Sequence, residues 1–324
     1  MRLFVTGGAG YIGSVVAAKL LQAGHDVTVF DNLSTGHREL VPKAARFIQG
    51  DLLDRAAVQA AVGAGFDAVL HFAAKSLVGE SAQKPSLYFG ENVGGAVNLV
   101  DAMREAQVPS IVFSSTAAVY GEPEVVPIPE DAPPRPVNAY GASKLAIDQL
   151  LSFSGAAHGL KAVSLRYFNV GGAFGYQGER HTIETHVIPR ILTAAQQDES
   201  FDVYGTDYPT PDGTAVRDYV HVADLADAHL LALLDMAERG TIGQHRIYNL
   251  GNGEGFSVRQ VLEVARQVTQ KAIPANERPR RAGDPVRLVA SSEKVRRELG
   301  WNPERSDLAS IISDAWSFMT KGRA

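Results

Sequence analysis

The sequence contains no cysteine, so disulfide bonds and thiolate metal sites are excluded. It also lacks an excess of basic charge: Lys and Arg together number 31, Asp and Glu number 36, and the formal net charge is -5. No basic field is available to hold a polyphosphate backbone, and we expect no nucleic-acid partner. Because a chain without disulfides suits a reducing compartment, we predict a cytoplasmic location.

Long hydrophobic runs are missing as well. The longest apolar segment, near residues 225–234, is interrupted by Asp227 and His229, whereas a membrane-spanning helix requires about 20 apolar residues. Met1 and Arg2 lead directly into an apolar strand pattern, which leaves no room for the parts of a secretion signal. We therefore expect a soluble protein with no membrane partner.

The chain does contain enough apolar material for a large core. Of its 324 residues, 45% are hydrophobic, which allows one large domain or two modest ones. In the first half, short β-branched runs alternate with stretches at 13–23 and 93–106 whose apolar residues recur every three or four positions. This alternation is typical of βαβ units and predicts an α/β fold with a doubly wound parallel sheet. The predicted strands are residues 3–6, 26–30, 46–49, 68–72, 110–114 and 162–166.

The rhythm of the sequence changes after about residue 170. Residues 171–178 are rich in glycine, and residues 205–213 concentrate glycine, proline and aspartate in a turn-rich loop. We therefore divide the chain into a doubly wound domain at 1–170 and a second, smaller mixed α/β domain at 171–324. A further strand pattern at 246–250 could return to the first sheet.

A glycine motif follows the first predicted strand. Gly7, Gly10 and Gly13 open a helix, and this spacing lets the backbone turn tightly and approach a pyrophosphate, to which the helix N-terminus offers free amides. Asp31 lies at the end of the second strand, where a carboxylate can accept hydrogen bonds from an adenosine ribose diol. Since a carboxylate repels a 2′-phosphate, the motif predicts NAD and not NADP. The alternative is a glycine-rich turn with Asp31 capping a helix.

Tyr140 and Lys144 are four residues apart, so they share one face of a predicted helix. A free phenol titrates near about 10, but an ammonium and a positive nicotinamide ring would both favour phenolate. Tyr140 could then take the proton of a hydroxyl while hydride leaves the same carbon, and Lys144 could hold the nicotinamide ribose. The alternative is an exposed helix face. Together with the glycine motif, the pair favours catalysis.

Hydroxyl side chains follow the fifth predicted strand, at the carboxyl edge where doubly wound sheets bind ligands. Thr116 could share a hydrogen-bond relay between Tyr140 and a substrate oxygen, or it could cap a helix. The sequence spacing does not separate the two roles. No cluster of His, Asp and Glu has metal-ligand spacing, so we expect no metal.

The motifs together resemble the extended short-chain dehydrogenase/reductase superfamily and, within it, the UDP-glucose 4-epimerases. The resemblance covers essentially the whole chain. It implies a Rossmann-type NAD domain, a UDP-hexose substrate and a homodimer packed through helices near 93–106 and 142–157. Beyond the glycine motif and the Tyr140–Lys144 pair, it rests on the segments 50–52, 71–74, 114–121, 165–169, 205–209, 216–222 and 280–284.

The resemblance also implies roles for single residues. Arg217 and Arg281 would suit a diphosphate, because guanidinium groups bind its oxygens bidentately. The residues implied at NAD are Gly7, Gly10, Tyr11, Ile12, Gly13, Asp31, Asn32, Asp51, Leu52, Phe72, Ala73, Ala74, Asn92, Ser114, Tyr140, Lys144 and Tyr167. Those implied at uridine diphosphate are Asn169, His186, Val187, Arg217, Arg281 and Asp284, with Thr116 at the sugar and Tyr204 stacked on uracil.

The implied reaction oxidises the 4-hydroxyl to a ketone, lets the sugar turn, and returns hydride to its other face. Related 4,6-dehydratases carry an acid pair after the active-site threonine, whereas Thr116 is followed by Ala117 and Ala118, so elimination is disfavoured. Two alternatives stay open. One is an epimerase for another UDP-sugar (N-acetylhexosamine, pentose or uronic acid), since Leu288 stands where the family varies with N-acetyl acceptance. The other is an NAD-sensing regulator, which would not need the Tyr140–Lys144 pair.

Overall fold

The computed structural model describes residues 1–63, 65–181, 184–281 and 284–321. Its strands are β1 (Arg2–Thr6), β2 (Asp26–Asp31), β3 (Arg46–Gln49), β4 (Ala68–His71), β5 (Ser110–Thr116), β6 (Lys161–Tyr167), β7 (Asn169–Gly171), β8 (Phe201–Tyr204), β9 (Val216–Arg217), β10 (Tyr219–His221), β11 (His245–Leu250), β12 (Phe256–Ser257), β13 (Ala275–Arg278) and β14 (Arg287–Leu288).

The α-helices are α1 (Tyr11–Gln22), α2 (Arg55–Val62), α3 (Val78–Gln83), α4 (Pro85–Tyr88), α5 (Gly95–Glu105), α6 (Ala139–His158), α7 (Val187–Gln197), α8 (Val222–Glu238), α9 (Val258–Thr269), α10 (Glu293–Leu299) and α11 (Leu308–Lys321). A π-helical turn, Phe89–Gly94, joins α4 to α5. Short 3-10 helices lie at Arg38–Leu40 and Ala117–Val119. Among the residues described, none of these helices has both the length and the apolar composition that a bilayer span requires.

The central element is a seven-stranded sheet in the order β11-β6-β5-β4-β1-β2-β3. All its neighbouring strands pair in parallel. The six strands predicted in the first half of the chain are confirmed with small differences at their ends, and the doubly wound α/β fold class is confirmed with them. Their runs of β-branched and aliphatic residues fit strands that are buried on both faces.

Helices cover both faces of this sheet. On one face α1, α8 and α10 share a core with strand side chains such as Leu3 and Val5. On the other, α2, α5 and α6 pack against alternate side chains such as Phe4 and Val69. The alternation follows from the two-residue period of a strand.

The chain order reverses between β1 and β4. From β1 the chain runs to β2 and β3 on one side, and it then returns to β4 on the other side of β1. The turns after β1 and β4 diverge at that point and leave a crevice at the carboxyl edge of the sheet. The glycine motif after β1 lies beside this crevice.

The second lobe has its own core, in which α7, α9 and α11 pack together. Short strands pair around it: β7 with β10, β8 with β13, and β9 with β12 and β14. The predicted return of residues 246–250 is confirmed, since β11 pairs with β6. Helix α8 also returns to the first layer, where it packs on α1. The large α/β layer therefore includes α8 and β11 as well as the elements before residue 170.

Candidate functional site

A cavity of about 870 Å³ opens at the carboxyl edge of the central sheet, at the crevice between β1 and β4. Its wall comes from both lobes. The first lobe supplies the turns after β1, β2, β4 and β5 together with the start of α6, and the second supplies the approach to α7 and parts of β9 and β14. This volume is near the upper end of the range of about 300–1,000 Å³ for ligand pockets.

The glycine turn after β1 has room for backbone only. A Cβ atom on Gly7, where φ is +71°, would lie 2.4 Å from the backbone nitrogen of Ala73, and one on Gly13 would lie 2.3 Å from the carbonyl oxygen of Gly7. Gly10 is the N-cap of α1 and offers no side-chain acceptor, so the first amides of the helix face the cavity without a competing cap. The turn therefore presents free amides to an anion at a helix N-terminus.

Asp31, at the end of β2, is only 8% exposed. Its carboxylate accepts the N–H of Ala9 at 3.0 Å and that of Leu33 at 2.8 Å, and it thereby ties the glycine turn to the loop after β2. Burial raises the pKa of Asp31, and these two backbone bonds oppose the rise. The alternative in which Asp31 caps a helix does not apply, because its partners lie in turns.

The start of α6 places Tyr140 and Lys144 in the cavity wall, and Asn138 caps the helix by accepting the N–H of Gly141 at 2.8 Å. Lys144 Nζ donates to the carbonyl oxygen of Ser114 at 2.8 Å. The hydroxyl of Thr116 lies near enough to the phenol of Tyr140 to lower its pKa. The three predicted catalytic side chains are therefore brought together.

Burial shifts the pKa of both residues of this pair. It raises the pKa of Tyr140, and the hydrogen bond from Thr116 lowers it in part. Burial lowers the pKa of Lys144 to about 7 against the attraction of Asp148. Lys144 Nζ lies 6.0 Å from the Tyr140 ring centre and donates to the Ser114 carbonyl, and the predicted effect of its ammonium on the phenol stays a prediction.

Thr116 also accepts the N–H of Ala118 at 3.1 Å, as the N-cap of the 3-10 helix Ala117–Val119. Of the two roles that spacing left open, the structure shows the cap, and the relay to a substrate oxygen stays a prediction. Ala117 and Ala118 line the cavity beside it.

The end of the cavity toward the second lobe carries the predicted diphosphate residues. Arg217 on β9 forms an ion pair with Asp284, and both side chains are partly shielded from water. Arg281 lies in the cavity wall with its guanidinium 4.2 Å from the ring centre of Tyr204. Tyr204 is next to the wall and not part of it. Residues 282 and 283, which complete this motif, lie outside the described residues.

Every other residue predicted at NAD or uridine diphosphate lies in the wall of this one cavity. Tyr11 is fixed there by its phenol, which donates to the carbonyl oxygen of Gly172 at 2.6 Å. Asn92 Nδ2 donates to Ser143, and its Oδ1 accepts the N–H of Lys75 at 2.7 Å.

The sequence was compared with models of known protein families. The model of the NAD dependent epimerase/dehydratase family matches residues 3–251. The chain belongs to the NAD dependent epimerase/dehydratase family. NAD is accordingly its cofactor, and the glycine turn and Asp31 are the features of the structure that fit a dinucleotide.

Relatives within the NAD dependent epimerase/dehydratase family match the full length of the chain. The UDP-glucose 4-epimerase of Corynebacterium glutamicum is 58% identical over 320 residues, which covers 98% of this chain and 95% of that protein. The crystal structure of UDP-glucose 4-epimerase from Brucella ovis in complex with NAD is 42% identical with a TM-score of 0.92, covering 97% of both chains. That from Bifidobacterium longum in complex with NAD+ and UDP is 35% identical with a TM-score of 0.92, covering 99% of this chain and 98% of the other.

Two features at or beside the cavity were not predicted from the sequence. The first is His229 on α8, which hydrogen-bonds the phenol of Tyr167 by a short contact. Its pKa is lowered to about 4 by burial, so it stays neutral. In sequence it was only a polar break in an apolar helix, and its position beside the cavity depends on how α8 returns to the first sheet.

The second feature corrects the expectation of no metal cluster. Glu179, His181, Glu184 and His186 each offer a ligand atom, and these atoms all lie within 4.8 Å of one another. All four side chains line the cavity. They belong to the irregular segment between β7 and α7, where no helical or strand period could reveal that they converge.

Proposed function

We propose that this chain interconverts UDP-glucose and UDP-galactose, a step of galactose metabolism, by inverting carbon 4 through a transient 4-keto sugar. The observation that carries the proposal is one continuous cavity. Its wall contains the Tyr140–Thr116 pair, a glycine turn that fits a dinucleotide and two arginines that fit a diphosphate. The relatives and solved structures that match at full length are named UDP-glucose 4-epimerases.

NAD supplies a hydride acceptor that becomes a donor within the same turnover. The chain's own residues would hold it as the family resemblance implies: Gly7, Gly10 and Gly13 at the pyrophosphate and Asp31 at the adenosine ribose. Lys144, whose ammonium already donates to the Ser114 carbonyl, would donate to the nicotinamide ribose. A cofactor that ends each turnover unchanged need not leave, and the depth of the cavity fits a retained dinucleotide.

Tyr140 is the proposed base. With Thr116 as a relay, it takes the proton of the 4-hydroxyl when hydride departs and returns it after the sugar has turned. The bond from Thr116 favours phenolate against burial. A positive nicotinamide ring would act in the same direction.

Arg217 and Arg281 would anchor the diphosphate, which carries about two negative charges at neutral pH. The remaining predicted contacts to uridine diphosphate, from Asn169, His186, Val187, Tyr204 and Asp284, belong to the same proposal. Firm anchoring of the nucleotide leaves the hexose free to turn, which inversion requires. Because Ala117 and Ala118 follow Thr116 in the wall, no acid stands there to expel a hydroxyl, and epimerisation is favoured over dehydration.

The proposal extends to the organisation of the chain. Residues 1–170 with α8 and β11 form the NAD-binding unit, and most of 171–324 forms the unit for the UDP-sugar. The protein acts as a homodimer packed through α5 and α6. Its cytoplasmic location stays a prediction from the sequence.

The residue at position 288 favours UDP-N-acetylglucosamine as a second substrate. Leu288 on β14 lines the cavity and is smaller than the tyrosine that restricts some family members. UDP-N-acetylglucosamine should therefore be turned over alongside UDP-glucose. UDP-pentoses and UDP-uronic acids are the other alternative substrates that the sequence left open.

The test is Tyr140→Phe, compared with the wild type on a panel of UDP-sugars without added cofactor. The variant should lose turnover by about 10³-fold, since general base catalysis contributes about 10²–10⁴. It should still copurify with NAD, because the glycine turn is untouched. The wild type should convert UDP-glucose and, more slowly, its N-acetyl analogue. A wild type that holds NAD but converts none of the panel would support the NAD-sensing alternative and sink the epimerase proposal.

A further inference from the structure

The segment between β7 and α7 brings four metal-ligand side chains to one wall of the cavity. Glu179 and Glu184 supply carboxylates, and His181 and His186 supply imidazoles. Their side chains are 11%, 18%, 29% and 42% exposed, in that order. The cluster therefore lies under partial cover, with His186 as its most open member.

The cluster is compact enough for a single small cation, since all four ligand atoms lie within 4.8 Å of one another. His181 Nδ1 lies 2.6 Å from a Glu179 oxygen and 3.8 Å from a Glu184 oxygen. His186 Nδ1 lies 3.2 Å from Glu179 and 2.7 Å from Glu184. Ligands about 2.0–2.2 Å from a tetrahedral ion are about 3.4 Å apart, so the direct His–Glu contacts would open to admit the ion.

The chemistry of the cluster also suits a dication. Two carboxylates and two imidazoles meet, and the imidazole rings are stacked with centres 5.7 Å apart. A divalent ion bound by two neutral imidazoles would balance the charge of the two carboxylates.

We propose that Glu179, His181, Glu184 and His186 form a binding site for one divalent transition-metal ion of the zinc class. Two imidazoles with two carboxylates suit zinc and its neighbours, whereas calcium and magnesium prefer oxygen ligands alone. With four protein ligands the site is closed, as structural zinc sites are. The ion would take Nδ1 of His186, so Nε2 of this ring stays available for the contact to uridine diphosphate proposed above.

Such an ion would fasten this segment to the wall of the cavity. His186 is the N-cap residue of α7, so the ion would join the irregular segment directly to the start of a helix. Tyr11 on α1 lines the same cavity as Glu179 and Glu184, and its phenol donates to the carbonyl oxygen of Gly172, which precedes the segment. The ion would thus hold the second-lobe wall against α1. This inference does not depend on the reaction proposed above.

The experiment uses the full-length chain without an affinity tag, since a polyhistidine tag binds the same metals. After treatment with a chelator, the protein is titrated with Zn²⁺ in a calorimeter and with Co²⁺ in a spectrophotometer. We expect uptake of one ion per chain, intense visible absorption of tetrahedral Co²⁺, and a higher thermal unfolding midpoint with Zn²⁺.

The ligand variant is His181→Gln/Glu184→Gln, and its affinity for Zn²⁺ should fall by more than about 100-fold, which is the upper effect of losing an outer-shell partner. The matched control is His158→Gln/Glu238→Gln, which removes one exposed histidine and one exposed glutamate at the ends of α6 and α8, outside the cluster. It should bind Zn²⁺ like the wild type.

Copurified NAD and the far-UV circular dichroism of each variant report whether it is folded. If the double variant does not fold, the single variant His181→Gln takes its place in the same titrations. The proposal is overturned if the folded wild type takes up no stoichiometric Zn²⁺ or Co²⁺, or if the ligand and control variants bind equally. Neither readout uses a UDP-sugar, so failure here is distinct from failure of the epimerase proposal.

Discussion

Thr116 combines two roles in one hydroxyl. Its oxygen accepts the N–H of Ala118 as an N-cap, and its hydrogen bond to Tyr140 lowers the pKa of a phenol that burial raises. Valine has nearly the shape of threonine but has no hydroxyl, whereas serine keeps the hydroxyl and loses a methyl group. These two substitutions therefore separate the chemistry of the side chain from its packing.

We expect Thr116→Val to reduce kcat by about 10²-fold, in the range of a lost proton relay, and to lower the free energy of unfolding by about 1 kcal/mol through loss of the cap. Thr116→Ser should retain most of the activity. Steady-state assays and thermal unfolding of both variants measure the two effects. Equal loss of kcat in the two variants would contradict a relay through the hydroxyl.

The sequence predicted site residues where a regular period carries them. Tyr140 and Lys144 are four apart on a helix, so their shared face followed from spacing alone. The raised pKa of the Tyr140 phenol did not follow, because it comes from burial in a cavity that the two lobes build together. The cluster at 179–186 did not follow either, because an irregular segment has no period from which convergence can be read.

At the scale of elements, a buried ion pair joins the strands beneath the site to α6. Arg166 on β6 donates to Asp148 on α6 at 3.0 Å, and both side chains are 4% exposed. Its other amino group donates to the Tyr120 phenol at 2.9 Å, and that phenol donates to Asn249 on β11 at 2.8 Å. The network thus ties β6 and β11 to the helix that carries Tyr140.

Removing one partner of this network should be costly. We expect Asp148→Asn to lower the free energy of unfolding by about 3–5 kcal/mol, because it leaves a buried guanidinium without its counter-charge. Arg166→Met/Asp148→Leu should be closer to the wild type than either single change. Chemical denaturation at a fixed, saturating NAD concentration measures the series, since bound ligand itself stabilises the fold. A double variant as unstable as the sum of the single changes would show that the pair is not coupled.

The sequence predicted the strands better than the division into lobes, because a strand has a local pattern and a lobe boundary does not. The β-branched runs of β1 to β6 carry their own signal, and so does β11. The division at residue 170 rested on a change in the sequence pattern. The strand pattern of β11 left its return to the first sheet open, but nothing in the sequence indicated that α8 returns as well. Such a return is decided by long-range packing, which a local pattern does not record.

At the scale of the whole molecule, apolar side chains stand exposed on the surface formed by the π-helical turn, α5 and α6. Phe89 is 44% exposed, Val97 is 40% exposed, and Phe153, on α6, is 74% exposed. These elements pack on one another. Exposed apolar residues gathered on neighbouring elements are typical of an interface. The surface coincides with the helices at 93–106 and 142–157 for which the resemblance implies a homodimer.

We expect the wild type to migrate as a dimer and Phe153→Glu to migrate as a monomer, because a carboxylate buried in such an interface lacks a counter-charge. Size-exclusion chromatography with light scattering over a range of protein concentrations measures this. Val125→Glu is the control, since Val125 is 62% exposed but lies on the loop before α6. A folded Phe153→Glu variant with the same mass as the wild type would place the contact elsewhere. Retained NAD in the monomer would show that the dinucleotide site is complete within one chain.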